Sequence, residues 1–411
     1  MLMIPRFNDA RDWFFRQRFG MFIHWGIYAV KAFHEQYQWR MHIPSAEYVK
    51  LAGQFNPQQF APEAWLDLCQ EAGMEYICFT CKHHDGFCMW DSKFTDYNIM
   101  HTPYGRDVLA LLAKACHRRG IRLGLYYSCP DWHCPSSLNF GGDHQLPRPN
   151  PGDRPDLLQY VDYVKNQVRE LCSRYGEISE FFWDIPPGVN FPELNALIRE
   201  LQPAALINDR GYGPGDYDTP ERHIPPGEAF SRPTEACQSV GRCSWGYRHN
   251  EDYYSPLFLM QSMDNILARG GNYLLNVGPD AQGCIPSEAQ EILRRIGRWY
   301  KGVKESFVDT EVCTLPGQPG SDFLVTRRGS TFYLHFLQGF QSSGYGLLAF
   351  RNLPQRAVLL NTGATVPTDL IVLPQIALTS PEPRLHLYGL PAGQALAEVP
   401  VIRLDFAESI P

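Results

Sequence analysis

The chain has 411 residues, with 37 Lys and Arg against 44 Asp and Glu and a formal net charge of −7. That length predicts two domains with a sizeable core, and the mildly acidic balance gives no electrostatic reason to bind nucleic acid or an anionic membrane. There is no apolar run of about 18 residues, so no transmembrane helix is expected.

The opening segment, MLMIPRFNDARDW, carries no apolar stretch followed by a small-residue cleavage site. A cytoplasmic chain is expected, with a processed secreted or periplasmic chain as the alternative. The 12 Cys are scattered, several of them within apolar runs, which suits reduced thiols better than a disulfide framework. Cys78 and Cys81 are spaced as C-x-x-C, but YICFTC reads as a buried strand, so packing is expected rather than zinc or redox chemistry.

In chain order, FGMFIHWGIYAV (Phe19 to Val30) reads as a strand, and a short helical stretch follows Ser45. PEAWLDLCQEAG has Pro at a helix start and Gly at its end. MEYICFTC is a strand, RDVLALLAKACHRRG a helix with basic residues in its last turn, and IRLGLYYS a strand. Helix LLQYVDYVKNQVRELCSRYG precedes strand ISEFFWDI, and helix PELNALIRELQP precedes strand ALINDR. Helix SPLFLMQSMDNILARGG precedes strand NYLLNVGP, and helix EAQEILRRIGRWYKGV closes the region.

Apolar strands alternating with helices imply a parallel sheet covered on both faces. Seven or eight such repeats in about 300 residues predict a (β/α)8-like, TIM-type barrel over residues 1–305. No G-x-G-x-x-G follows the first strand, which argues against an open dinucleotide-binding sheet. After about Phe307 short alternating runs take over (FLVTRR, TFYLHFL, AVLLNT, LIVLP, RLHLYGL, VIRLDF), predicting a C-terminal antiparallel β-sandwich over residues 306–411.

In such a barrel the candidate residues stand at the C-terminal strand ends. These are His24 and Trp25; Lys82, His83, His84 and Asp85; Tyr126 and Tyr127; Trp183 and Asp184; Asn208, Asp209 and Arg210; and Asn276. Glu221 and Glu235 lie in the region after the fifth strand. Histidines, Asn, Arg and Trp around carboxylates suit a hydroxyl-rich ligand. A metal on His24, His83 and His84 is the rival, but adjacent residues of an extended strand point to opposite faces. Asp184 is the sharpest candidate, because a carboxylate ends the apolar run EFFW.

FGMFIHWG, KHHDGFCMW, GLYYSCPDW, FFWD, NDR, DYDTPE and GGNYLLNVGP resemble, in order, the signatures of glycoside hydrolase family 29, the α-L-fucosidases. The resemblance spans roughly residues 8 to 305. It implies retaining hydrolysis of terminal α-L-fucose from fucosylated glycans or glycosides, without metal or organic cofactor. It further implies Asp184 as nucleophile and His24, Glu35, His83, His84, Tyr127, Trp183 and Arg210 as substrate contacts. For the acid/base it leaves two choices, Glu235 preferred and Glu221 the alternative. Gln36 and Thr234 stand where the family has Trp, so a related sugar such as an α-L-galactoside is an alternative substrate. A sugar-binding protein that has lost catalysis is the rival of another class. A homo-oligomer stays open.

Overall fold

The computed structural model describes residues 4–139, 141–142, 144–222, 229–315, 322–374, 381–395 and 397–408. Seven strands form a curled parallel sheet: β1 (Phe19–Ile23), β2 (Tyr76–Lys82), β3 (Arg122–Ser128), β4 (Glu180–Asp184), β5 (Leu206–Ile207), β6 (Glu235–Ser239) and β7 (Asn272–Val277). Their order is β5-β4-β3-β2-β1-β7-β6. Between the two edge strands runs an irregular segment, residues 217–221. It makes isolated parallel bridges from Tyr217 to Asn208 on one side, and from Asp218 to Thr234 and Glu221 to Cys237 on the other. Pro220 lacks an N–H, so a regular ladder cannot continue there.

Side-chain alternation sorts these strands into two cores. Phe22, Cys78, Tyr126, Phe182, Leu206, Cys237 and Leu274 point into the barrel. Met21, Ile77, Phe79, Leu125, Phe181, Ile207 and Leu275 point out to the helices. Trp13, Phe14 and Phe15, from the 3₁₀ turn Ala10–Phe15, join the inner cluster. They close its N-terminal end through ring contacts from Trp13 to Tyr76 and from Phe14 to Tyr217.

The helices start and stop on ordinary signals. Pro62, Pro192 and Pro256 open their helices at the first turn, where the missing N–H costs nothing. Asp107 caps the helix Val108–Arg119 by accepting from Ala110 N–H, and Gly120 ends it at φ +65°. Among the described residues no helix is long and apolar enough to cross a membrane. The first strand is shorter than expected. After Ile23 the chain turns into a 3₁₀ helix, Ile27–Lys31, whose Ile27, Tyr28 and Ala29 are buried, so the apolar pattern runs on past the strand.

The C-terminal region holds two antiparallel sheets. Six strands run in the spatial order Ala364–Thr365, Arg356–Leu359, Val401–Asp405, Thr331–His335, Leu324–Arg328, Glu311–Val312. Three more run Gly344–Leu347, Arg384–Tyr388, Thr368–Ile371. Phe332, Leu334, Ile402 and Leu404 share a core with Leu347, Leu385 and Leu387 of the smaller sheet. Tyr333 and Val401 instead pack into the core of the barrel region. On that same outward parity lies His335. Its Nδ1 is 3.1 Å from Asp264 Oδ2 of the helix Pro256–Leu267, and its Nε2 is 3.0 Å from Thr326 Oγ1.

Asp264 and His335 are fully buried. Asp264→Ala should cost about 2–4 kcal/mol in chemical denaturation by stranding the imidazole. A cost below about 0.5 kcal/mol would contradict a structural role for this contact.

Candidate active site

A pocket with about 500 Å³ of empty volume opens at the C-terminal ends of the parallel strands. It is lined by His24, Glu35, Gln36, His83, His84, His144, Asp184, Ile185, Arg210 and Glu221 over an aromatic floor of Phe22, Tyr126, Phe182 and Trp245. Asp184 is the last residue of β4 and the third inward-facing position along it, after Glu180 and Phe182. Ile185 follows at φ +57°. A β-branched residue there is strained, and such strain collects at functional turns.

One cation organises the charges. Arg210 Nη1 donates to Asp184 Oδ1 at 3.0 Å and to Glu221 Oε2 at 2.9 Å. Thr219 fixes the guanidinium, its Oγ1 accepting from Nε at 2.7 Å and its carbonyl from Nη2 at 2.5 Å. Both carboxylates sit on one nitrogen, so the bonded oxygens are at most about 6 Å apart. That bound admits the roughly 5–5.5 Å separation of carboxyl groups in a retaining glycosidase. Burial opposes ionisation of Asp184, but Arg210 and the Tyr126 hydroxyl, donating to Oδ2 at 2.6 Å, hold its carboxyl below the usual range. The Asp184 side chain is 13% exposed and that of Glu221 40%. The first is thus set within the pocket and the second at its mouth.

The histidines are neutral acceptors. Burial pulls His24 and His84 down to about 4 and His83 well below its ordinary value. Asn276 Nδ2 donates to the Trp245 carbonyl at 2.7 Å, so its Oδ1 must accept from His24 Nδ1, also at 2.7 Å. Ser128 Oγ donates to the Pro130 carbonyl and so accepts from His84 Nδ1 at 2.7 Å. In both rings Nε2 keeps its lone pair, and in His84 that atom lies 3.8 Å from Asp184 Oδ2.

Glu35 Oε2 accepts from Ser244 Oγ and from the N–H groups of Trp245 and Gly246. Burial opposes its charge, but His34 and the Gly246 N–H hold it below the ordinary range. Its buried Oε1 has no donor aligned on it. The pocket thus offers acceptors suited to hydroxyl protons.

Of the residues expected from sequence, His24, Glu35, His83, His84, Asp184, Arg210 and Glu221 come together here. His83 and His84 both face the pocket, with ring centroids 4.0 Å apart, because the chain leaves the extended form after Lys82. Among the described residues no three His, Cys, Asp or Glu side chains converge as metal ligands.

Three residues are not brought to the pocket. Tyr127 points outward and donates to Gln167 Oε1, and its neighbour Tyr126 takes the place at Asp184. Trp183 also points outward, donating to Asn195 Oδ1 and packing on Tyr212, while Phe182 lines the floor. Glu235 faces inward but begins β6, next to Tyr76, whose hydroxyl donates to it, and to Glu180. The register sets Glu221 beside Cys237, leaving Glu235 two residues, roughly 7 Å, further down the barrel. Thr234 lines an adjoining groove with Asp218 and Phe230, which shares Arg210 with the pocket. The sequence offered Tyr126 beside Tyr127 and tied Gln36 to the choice of sugar, and both line the pocket, whereas Phe22, His144, Phe182 and Trp245 were missed. Strand parity was the usable signal for Tyr126 and Phe182, counted back from Asp184.

A curled (β/α) barrel with a pair of carboxylates close together at its C-terminal rim is an arrangement that retaining glycoside hydrolases use. A family model described as Alpha-L-fucosidase matches residues 6–305, and the chain belongs to that family. It is 30% identical over 319 residues to the tissue α-L-fucosidase of Rattus norvegicus, covering 70% of this chain and 68% of the relative. The solved α-L-fucosidase isoenzyme 1 of Paenibacillus thiaminolyticus is 32% identical with a TM-score of 0.84, over 97% of this chain and 100% of that one. An α-L-fucosidase of Lactobacillus casei, solved with α-L-fucose product, is 32% identical with a TM-score of 0.66, over 72% of this chain and 100% of that one.

Burial and Glu180 raise Glu235 well above the ordinary carboxyl range, so it holds a proton in the folded chain. Stability tied to that proton is complete below the unfolded value of about 4.3 and is lost as pH rises through the folded value. Glu235→Gln keeps a hydrogen on that group. Its Tm should therefore gain on the wild type as pH rises above about 4.3, and its turnover should stay within about threefold. A Tm gap independent of pH would count against the buried proton. Tyr126→Phe should move the acidic limb of kcat/KM to higher pH by removing a donor from Asp184. An unmoved limb would mean that Asp184 does not set it.

Proposed function

We infer that the chain is a retaining exo-α-L-fucosidase in which Asp184 is the nucleophile and Glu221 the acid/base. The observation that carries this is the shared contact of both carboxylates with Arg210 Nη1. Asp184, kept ionised, attacks the anomeric carbon from inside the barrel. Glu221, at the mouth, protonates the departing oxygen and then deprotonates the water that hydrolyses the glycosyl-enzyme. His24 Nε2, His84 Nε2 and Glu35 Oε1 accept hydrogen bonds from the sugar hydroxyls, which fixes the ring for in-line attack.

The floor of Phe22, Phe182 and Trp245 suits the methyl group of a 6-deoxy sugar. A hydroxyl there would lose water without gaining a partner, costing about 1–3 kcal/mol, which favours the fucoside over the α-L-galactoside. Residues 1–305 carry every group in this account, and residues 306–411 are assigned a supporting role. The nine buried, unpaired cysteines suit a reducing compartment.

Asp184→Gly should lose several orders of magnitude in hydrolysis of p-nitrophenyl α-L-fucoside and regain turnover with azide, yielding the β-L-fucosyl azide. An azide product of α configuration, or none, would remove Asp184 from the role. Glu221→Gln should lose at least about 100-fold on poor leaving groups and far less on activated ones. The same leaving-group dependence in Glu235→Gln instead would reassign the acid.

A further inference from the structure

Two loops meet at the pocket mouth, residues 34–45 after β1 and residues 129–156 after β3, of which Phe140 and Asp143 lie outside the described residues. They are laced together. The Trp39 indole donates to the Gln145 carbonyl at 2.9 Å, and the buried Trp132 indole donates to the His144 carbonyl at 2.7 Å. Ser45 bonds the Asn150 side chain, whose amide donates to the Trp132 carbonyl at 2.9 Å. Two indoles thus hold two consecutive carbonyls. The residue they hold, His144, has φ +53°, a left-handed conformation that costs an L side chain about 1 kcal/mol or more. Its ring stacks on Trp39 with centroids 5.5 Å apart and planes 16° apart, and meets His84 edge-on. It lines the same pocket as Asp184 and Glu221.

We propose that His144, backed by Trp39, is the platform of a leaving-group subsite for a sugar ring, with Trp132 as its positioning residue. The proposal rests on the fucosidase reading above. Depth supplies the first argument. Phe22, His24, Phe182 and Cys237 are almost fully buried at the blind end, whereas Glu221 and His144 stand at the rim. An exo-acting enzyme seats the terminal sugar at the blind end, so the group leaving past Glu221 must run along the rim. Chemistry supplies the second. A flat imidazole stacked on an indole and lining the pocket offers an apolar face to sugar C–H bonds. Construction supplies the third. A strained backbone clamped by two indoles presents one ring, which points to a ring whose position is used.

The test compares α-L-fucosyl fluoride, whose leaving group is one atom, with α(1→2)-, α(1→3)-, α(1→4)- and α(1→6)-linked fucosyl disaccharides. His144→Ala should lower kcat/KM on the best disaccharide at least about tenfold more than on the fluoride. His144→Phe keeps the stack and should recover most of that loss. Trp132→Phe removes only the N–H and should show a smaller loss of the same selectivity. Equal losses on fluoride and disaccharide, or failure of His144→Phe to differ from His144→Ala, would overturn the subsite. Wild-type turnover of the fluoride but of no disaccharide would overturn a sugar as the leaving group. Turnover of neither would overturn the fucosidase reading itself.

Discussion

One guanidinium nitrogen sets the chemistry of this pocket. Arg210 Nη1 touches a carboxylate from β4 and a carboxylate from the irregular segment that links β5 to β6. Without that cation, two negative groups this close and this sheltered from water would raise each other's affinity for protons. With it, the Asp184 carboxyl is held below its usual range inside the barrel, as the proposed nucleophile requires. Glu221 is more exposed, at the pocket mouth. Thr219 holds the cation by both its hydroxyl and its carbonyl, so the spacing of the carboxylates is set by backbone two residues from Glu221 itself. The geometry is carried by a segment too irregular to count as a full strand.

Below this site the barrel is stacked in layers that serve different ends. The aromatic rings of the loop Trp13 to Phe15 seal the N-terminal end. Above them Glu180 and Glu235 meet Tyr217 and Tyr76 in a polar layer with a retained proton. Phe22, Phe182 and Cys237 make the next layer, and Asp184, His24 and Asn276 the last. Each strand contributes every second residue, so a functional group and a structural group of the same type can sit four residues apart on one strand, as Asp184 and Glu180 do.

That layering explains what the sequence reveals and where it stops. The alternation of apolar strands with capped helices made the barrel legible, and alternating runs after Phe307 did the same for the antiparallel sheets. The strand-end rule found Asp184, His24, His83, His84 and Arg210. It could not choose between Tyr126 and Tyr127 and took Trp183 in place of Phe182, because strands buried on both faces show no alternation from which to read the parity. It failed by depth at Glu235, since β6 was not recognised as a strand and its first residue could not be told from its last. His144 was invisible for another reason: it belongs to a long loop and is placed by tryptophans far apart in sequence. Long-range contacts of that sort leave no local pattern.

The central claim is that Asp184 forms the covalent bond to the sugar. Incubation with 2-deoxy-2-fluoro-α-L-fucosyl fluoride, followed by proteolysis and mass analysis, tests it most directly, because the fluorine slows breakdown of the intermediate. The account predicts one fluorofucosyl group per chain on the peptide spanning Glu180 to Asp184, assigned by fragmentation to Asp184. Label on Glu221, Glu235 or any other residue, or steady turnover with no label while fucosides are hydrolysed, would contradict it.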